Sequence, residues 1–363
     1  MHLTLIISSL SAGGAERVLS ELANYWAAKG HRISLLTLVS PETQPFYLLH
    51  PKIKLVQLDQ SQAGASLFTR FQNILKRVFC LRKTVRNLKP DMIVSFIDVM
   101  NVTTLIATWG LKIPVIISER IDPHFHRIPR LYTWLRFKIY PFCNKLIIQT
   151  NSSANYFPSD FKRFIQIIPN PVVSVSHNIK KISGKVQNII TVGRLDKQKD
   201  HMTLIRSFSE LLKGNPELCL TIYGEGKERN KLEELVNSLG LSRKVFLPGM
   251  TQNIYKVLVE ADLFIFPSLY EGFPNALCEA MSVGLPVIAS NCSGNIEVVQ
   301  DRIDGRLFPV GNIQVLTSIT LELLDDLEQR QRLGKHAQEI GRRFHPDRIF
   351  ALWDHVVLKS IMD

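Results

Sequence analysis

Two doubly wound α/β domains are predicted, on three observations. Short apolar runs alternate with helical periodicity along nearly the whole chain. The alternation pauses once near the middle and then restarts. The 363 residues suit two domains of ordinary size, and 45% hydrophobic residues supply two cores.

In the first half, strands are expected at 2–9, 32–39, 53–58, 91–97, 114–119, 145–150 and 164–168. Helical patterns lie between most of them, at 14–29, 66–89, 99–110 and 129–140. Such alternation implies right-handed crossovers and a parallel sheet. The run Leu3 to Ser9 has no basic stretch before it, and Gly13-Gly14 follows at once, so it reads as a buried first strand rather than a leader. The segment 172–187 is poor in large apolar residues and reads as the linker. Strands then resume at 188–192, 218–223, 244–247, 262–267, 286–290 and 306–309. Helices are expected at 201–213, 227–239, 252–260, 275–283, 293–299 and 312–326, with closing helices at 328–344 and 346–361. The predicted division is 1–175, 176–345, and a final helix 346–363 packing back towards the first domain. Two doubly wound sheets imply a cleft, with ligands at the carboxyl ends of strands.

Charge is divided unevenly. Residues 1–175 carry 21 Lys+Arg against 9 Asp+Glu, whereas 176–363 carry 23 of each. A basic first half suits a polyanionic partner: nucleic acid, anionic lipid or a phosphorylated substrate. The five cysteines are scattered without metal-site spacing and read as reduced core residues. No apolar run reaches the ~18–20 residues of a membrane-spanning helix, so any membrane contact is expected to be peripheral.

Three loops carry chemistry. Tyr270-Glu271-Gly272-Phe273-Pro274-Asn275-Ala276-Leu277-Cys278-Glu279 follows a predicted strand. Gly272 allows a tight turn, and Pro274 and Asn275 suit a helix start. That start offers free N–H groups to an anion. Glu271 lies before it and Glu279 about one turn inside, where carboxylates accept hydrogen bonds from sugar hydroxyls. Next, Gly193-Arg194-Leu195-Asp196-Lys197-Gln198-Lys199 leaves the first strand of the second half. An Arg fork with a Lys point charge grips a diphosphate well. Finally, Gly13-Gly14 permits close backbone approach after the first strand. It is not the dinucleotide fingerprint, which argues against a dehydrogenase.

Together these motifs resemble family 4 retaining glycosyltransferases of the GT-B fold. Tyr223-Gly224-Glu225-Gly226 and Pro169-Asn170-Pro171 fit the same pattern, and the resemblance spans nearly the whole chain. It implies that Arg194 and Lys199 hold the donor diphosphate and stabilise the leaving nucleotide. Glu271 would bind the transferred sugar, Glu279 the ribose, and amides from Asn275, Ala276 and Leu277 the phosphates. Gly14, with Gly13, would approach the donor from the first domain, and Gly193, Gly272, Gly224, Gly226 and Met250 would complete the donor site. The resemblance also implies retention of configuration, no metal and no cofactor, the nucleotide-sugar being a co-substrate. Many relatives carry Ser-Glu-His where this chain has Ser118-Glu119-Arg120. Arg120 is no general base. Glu119 and Arg120 therefore stand as acceptor-side candidates, with His124 and His126 as loop residues.

Leu67–Lys89 reads as a helix with two apolar faces. One stripe, Leu67, Phe71, Ile74, Val78, Leu81, Val85 and Leu88, is expected in the core. The other, Phe68, Leu75 and Phe79, is fringed by Lys76, Arg82, Lys83 and Arg86. Pro129–Phe142 adds Tyr132, Trp134, Phe137 and Tyr140 among Arg130, Arg136 and Lys138. Aromatics with basic neighbours suit a headgroup layer. The expected setting is therefore the inner face of the cytoplasmic membrane, with a lipid-linked saccharide as acceptor and Arg82 and Arg86 as accessory cations. UDP-sugars are the favoured donors and no nucleic acid is expected. A nucleotide-sugar epimerase of the same fold, or a basic nucleic-acid-binding protein, are the competing readings; the neutral second half argues against the latter.

Overall fold

The computed structural model describes residues 1–60, 67–173, 182 and 184–362. The chain forms two compact units: Met1–Asn170 with Asp347–Asp363, and Pro171–Pro346.

The first unit runs β1 (His2–Ile6), α1 (Gly14–Ala28), β2 (Arg32–Thr37), β3 (Lys54–Gln57), α2 (Leu67–Leu88), β4 (Met92–Phe96), α3 (Asp98–Thr108), β5 (Val115–Ser118), α4 (Arg130–Ile139), β6 (Lys145–Ile148), α5 (Asn151–Ala154) and β7 (Ile165–Ile167). Its strands form one sheet in the order β3-β2-β1-β4-β5-β6-β7, and every pairing is parallel. Central strands β1 and β4 are buried at every position, which is why they read as mostly apolar runs, with His2, Thr4 and Ser95 the buried polar exceptions.

The second unit runs β8 (Asn188–Val192), α6 (His201–Leu212), β9 (Cys219–Tyr223), α7 (Arg229–Ser238), β10 (Val245–Gly249), α8 (Ile254–Glu260), β11 (Leu263–Phe266), α9 (Asn275–Ser282), β12 (Val287–Ser290), β13 (Arg306–Phe308), α10 (Ile313–Asp325), α11 (Leu327–Ala337) and α12 (Ile340–Arg343). Its six strands follow the order β10-β9-β8-β11-β12-β13, again all parallel. The closing helix α13 (Pro346–Met362) groups with the first unit from Asp347 onward. Trp353 anchors it there, fully buried and stacked on Phe96 at 5.7 Å. Asp354 accepts hydrogen bonds from the Tyr25 hydroxyl, the Trp26 indole and the Lys29 ammonium at 2.7–2.8 Å.

Three expectations are corrected. The helix foreseen at 293–299 is only a 3-10 turn, Asn295–Glu297. Gly294 sits so close to Glu271 that a Cβ there would lie 2.6 Å from its Cβ, and the Asn295 side-chain amide donates to Ser290 O at 2.9 Å. These ties to neighbouring strand ends leave no room for a free helix. The long helix foreseen at 328–344 breaks between Ala337 and Ile340. Phe71, assigned to the core, is 57% exposed. Burial grows along α2: Ile74 and Val78 are half-buried, Leu81 and Val85 fully buried. The helix is thus seated by its C-terminal half, where burying such a side chain contributes about 1.5–3 kcal/mol. The side chains of Leu67 and Phe68 lie outside the described residues, as does most of the predicted linker.

Candidate active site

The site of the second unit is built from loops at the carboxyl ends of β8, β9, β10 and β11. Backbone bonds sew these loops together: Gly193 N to Tyr223 O, Leu195 N to Glu225 O and Gly224 N to Gly249 O, each 2.9 Å. Gly224 has φ +148°, and a Cβ there would come 2.9 Å from the Gly193 carbonyl carbon and closer still to its oxygen. A Cβ on Gly226 would come 2.6 Å from the Leu195 carbonyl carbon. Both glycines are therefore required by close approach of two backbones. Met250, just after β10, is exposed.

The β8 loop ends in a 3-10 turn, Lys197–Lys199, and Asp200 caps α6, its side chain accepting from Thr203 N. The turn aims its two cations differently. Arg194 is 63% exposed, with only peripheral contacts to Gln198 Oε1 at 3.2 Å and Asp196 Oδ2 at 3.4 Å. Lys199 is drawn inward, its Nζ 2.5 Å from Glu271 Oε1 and 4.8 Å from the Phe266 ring centroid. Gln198 donates to Tyr270 O at 2.8 Å and lies 3.4 Å from Glu271 Oε2. The structure thus joins Arg194, Lys199 and Glu271, which are 77 positions apart in sequence at their extremes.

Glu271 is 5% exposed and Glu279 3%. Glu279 stands one turn inside α9, as its position in sequence implies. Helix geometry leaves the first amides of α9 without intrahelical partners. That of Asn275 turns back to Phe273 O at 3.0 Å and Cys278 N closes on Pro274 O, so the helix supplies no partner for Ala276 and Leu277. Two cations, two amides at a helix start and two carboxylates therefore share one sheet edge. Chemically they can hold a diphosphate, neutralise charge as it departs, and accept hydroxyl hydrogens of a sugar.

Sequence reasoning missed two supports. Gln198 links the β8 and β11 loops. His201 is buried, and its Nε2 lies 3.3 Å from Arg194 O. Burial, with help from the Lys199 charge, pushes its pKa down to about 4, so it is neutral here. Its position directly after a charged loop was the available signal.

In the first unit, Gly13 caps α1 and its carbonyl accepts from Arg17 N and the Tyr47 hydroxyl; Gly14 is the first helical residue. Arg82 donates to Ala107 O and Trp109 O, both at 2.8 Å, closing the end of α3; Arg86 is exposed. Glu119 and Arg120 face inward. Arg120 bonds Ser118 Oγ and Asn170 Oδ1 and stacks over the Phe96 ring. Glu119 takes the Tyr140 hydroxyl at 2.5 Å and lies 3.2 Å from Arg136 Nε.

The membrane-side reading of α4 needs correction here. Tyr132, Arg136 and Tyr140, spaced by four, are buried, because Arg136 reaches Glu119 and Asp98 at the ends of β5 and β4. Burial opposes the Arg136 charge, but Glu119, Tyr140 and Asp98 outweigh it and hold its pKa above the ordinary value. Burial likewise lifts Glu119 to about 7, against the pull of Arg136. What α4 leaves outside is Leu131 and Trp134, with Arg130 and Lys138.

Among the described residues no group of three or more His, Cys, Asp or Glu is placed to hold a metal ion, and no helix is long and apolar enough to cross a membrane.

Two parallel-sheet units of this topology are the arrangement of the GT-B glycosyltransferases. The glycosyl transferases group 1 family matches residues 174–340, and Glycosyltransferase Family 4 matches residues 12–174. An α-1,4-N-acetyl-D-galactosaminyltransferase of Campylobacter jejuni, named for its GalNAc-GalNAc-diNAcBac-PP-undecaprenol acceptor, is 30% identical over 97% of both chains. A UDP-Gal:α-D-GlcNAc-diphosphoundecaprenol α-1,3-galactosyltransferase of Escherichia coli is 26% identical over 74% of this chain and 76% of its own. Among solved structures, sucrose-phosphate synthase of Thermosynechococcus elongatus superposes with TM-score 0.83 at 19% identity, covering 99% of this chain and 98% of its own. The chain belongs to family 4 of the glycosyltransferases.

Proposed function

We propose that this glycosyltransferase moves a hexose or N-acetylhexosamine from a UDP-sugar to a diphosphate-linked polyprenyl saccharide, with retention and without a metal, at the cytoplasmic face of a membrane. One observation carries the reading: Arg194, Lys199, Glu271 and the start of α9 converge on one edge of the second sheet. The relatives' names, a UDP-sugar in one and undecaprenyl-diphosphate acceptors in both, support this choice of substrates.

Chemically, the sugar–phosphate bond breaks as the acceptor hydroxyl oxygen bonds to the anomeric carbon and gives its proton to the departing diphosphate. Negative charge collects on the departing diphosphate, and Arg194 and Lys199 meet it with fixed positive charge. Without donor, Lys199 is neutralised by Glu271. Donor binding gives the ammonium a phosphate and frees the carboxylate for sugar hydroxyls.

Membrane attachment rests on the first unit's surface. Phe71, Leu75 and Phe79 of α2, Trp109 after α3, Leu131 and Trp134 of α4, and Phe142 are all exposed. α2 packs on α3 and α3 on α4, and the Trp109 and Phe142 rings meet at 4.5 Å. Residues 60–90 hold seven Lys or Arg and no acid, and Arg130 and Lys138 of α4 are exposed. Apolar side chains among so many cations suit an anionic lipid layer, which contributes ~1 kcal/mol per basic residue near it.

The test is turnover of UDP-hexoses and UDP-N-acetylhexosamines with a panel of polyprenyl-diphosphate saccharides, products read by mass and by anomeric proton coupling. Glu271→Ala should abolish transfer while keeping the circular dichroism of the unaltered chain. Full turnover in that variant removes Glu271 from the site.

A further inference from the structure

One uncharged side chain in the donor loops touches both the cationic and the acidic half of the site. Gln198 is the middle residue of the 3-10 turn Lys197–Lys199 and is half-buried. Its backbone carbonyl accepts from Leu269 N at 2.8 Å, joining the β8 loop to the β11 loop. Its side chain makes the same crossing. Nε2 donates to Tyr270 O at 2.8 Å and lies 3.4 Å from Glu271 Oε2. Oε1 accepts from Arg194 Nη2 at 3.2 Å.

Only an amide of this length fits those neighbours. It gives hydrogens towards a carbonyl and a carboxylate, and takes one from a guanidinium. An ionised glutamate has no hydrogen to give, and Lys or Arg has no acceptor. The surroundings also fix which end of the amide is which, with two acceptors facing Nε2 and one cation facing Oε1.

The link matters most at Glu271. That residue is 5% exposed, and its main chain is pinned by Gly294, whose close approach leaves no room for a Cβ. Its two oxygens have separate partners: Oε1 has the Lys199 ammonium at 2.5 Å, and Oε2 has the Gln198 amide. These partners behave differently when donor arrives. Lys199 carries a charge that a diphosphate claims, whereas Gln198 carries none and stays. A buried carboxylate left without a donor is costly, because its hydration is gone and nothing replaces it. With Lys199 turned to the phosphate, Gln198 is the partner that remains.

We propose that Gln198 is a positioning residue for the transferred sugar: it keeps Glu271 aimed at the hexose once Lys199 has left the carboxylate for the diphosphate. This rests on the donor-site reading above. Gln198 itself touches no reacting atom. Only a donor that still carries its sugar needs Glu271, so the amide favours UDP-sugar over UDP and thereby helps the product leave.

The experiment compares calorimetric titrations of UDP with those of UDP-glucose, UDP-galactose and their N-acetylhexosamine counterparts. Steady-state kcat/KM is measured for whichever donor the unaltered protein transfers. Gln198→Leu keeps the length of the side chain and removes both polar ends; the Arg194 contact it also loses is peripheral. It should lower affinity and kcat/KM for the UDP-sugar on the order of 10-fold, while UDP affinity stays within about twofold. Gln198→Glu keeps an acceptor for Arg194 but sets a second carboxylate beside Glu271, and should lose at least as much. In a Glu271→Ala background, Gln198→Leu should change UDP-sugar affinity by no more than about twofold, because the group it serves is gone. Equal UDP-sugar binding and turnover in Gln198→Leu overturns this inference. So does a parallel loss of UDP and UDP-sugar, or a full loss in the Glu271→Ala background, either of which marks a brace of the whole loop. Should Gln198→Leu not fold, Gln198→Glu decides by the same ratio of affinities. Failure of the unaltered protein to bind UDP or any of these UDP-sugars overturns the donor reading beneath it.

Discussion

Replacing Gly224 with alanine adds a single carbon to a loop that carries no charge of its own at that position, and should nonetheless disable the donor site. The new Cβ would stand 2.9 Å from the Gly193 carbonyl carbon, against 3.4 Å for ordinary contact, and closer to the oxygen. Both atoms are backbone, so no side chain can swing aside. The φ of +148° adds strain of about 1–3 kcal/mol that alanine does not relieve. The Gly193 loop must therefore retreat by roughly an ångström, carrying Arg194 with it and pulling Lys199 from Glu271. A displacement of that size costs about 10²-fold in turnover. Calorimetric titration of UDP and steady-state transfer rates provide the assay, with thermal unfolding to confirm a folded chain a few degrees less stable. Unchanged UDP affinity and turnover in a folded Gly224→Ala protein would refute the claim that this glycine seats the cationic loop.

Two further outcomes follow from burial. His201 is neutral when folded, with a pKa near 4 against 6.5 in the unfolded chain, so its contribution is present above about pH 6.5 and lost as pH falls towards 4. The loss approaches on the order of 3 kcal/mol, and His201→Asn should flatten that part of the denaturant-midpoint profile; an identical acid slope would contradict it. Glu119 works oppositely: with its pKa raised from 4.5 to about 7, its contribution is present below pH 4.5 and lost as pH rises through 7. Glu119→Gln should remove that fall, and a persisting one would assign it elsewhere. For the membrane, Phe79→Ser with Trp134→Ser should release the protein from anionic vesicles in flotation, and equal flotation of variant and unaltered protein would exclude this surface.

Much of the fold was legible because buried parallel strands are mostly apolar runs, and the intervening helices keep their period. The donor loops were legible because glycine, Arg and Lys crowd short stretches at strand ends. Arg136 was not. Periodicity shows that Tyr132, Arg136 and Tyr140 share a face, but both faces of α4 carry aromatics, so the inward one is decided by distant Glu119 and Asp98. Phe71 obeys the stripe of α2, yet that helix is seated only from its middle onward. The short turn at Asn295–Glu297 arises because Gly294 must fit against Glu271, a contact that no local pattern records.

The most direct test is a calorimetric titration of UDP into the unaltered chain and into Arg194→Met and Lys199→Met, with a metal chelator present. Saturable binding should weaken by about 10- to 100-fold in each variant, as loss of a charge-assisted bond requires. Equal affinity in all three proteins would mean that the nucleotide is held elsewhere.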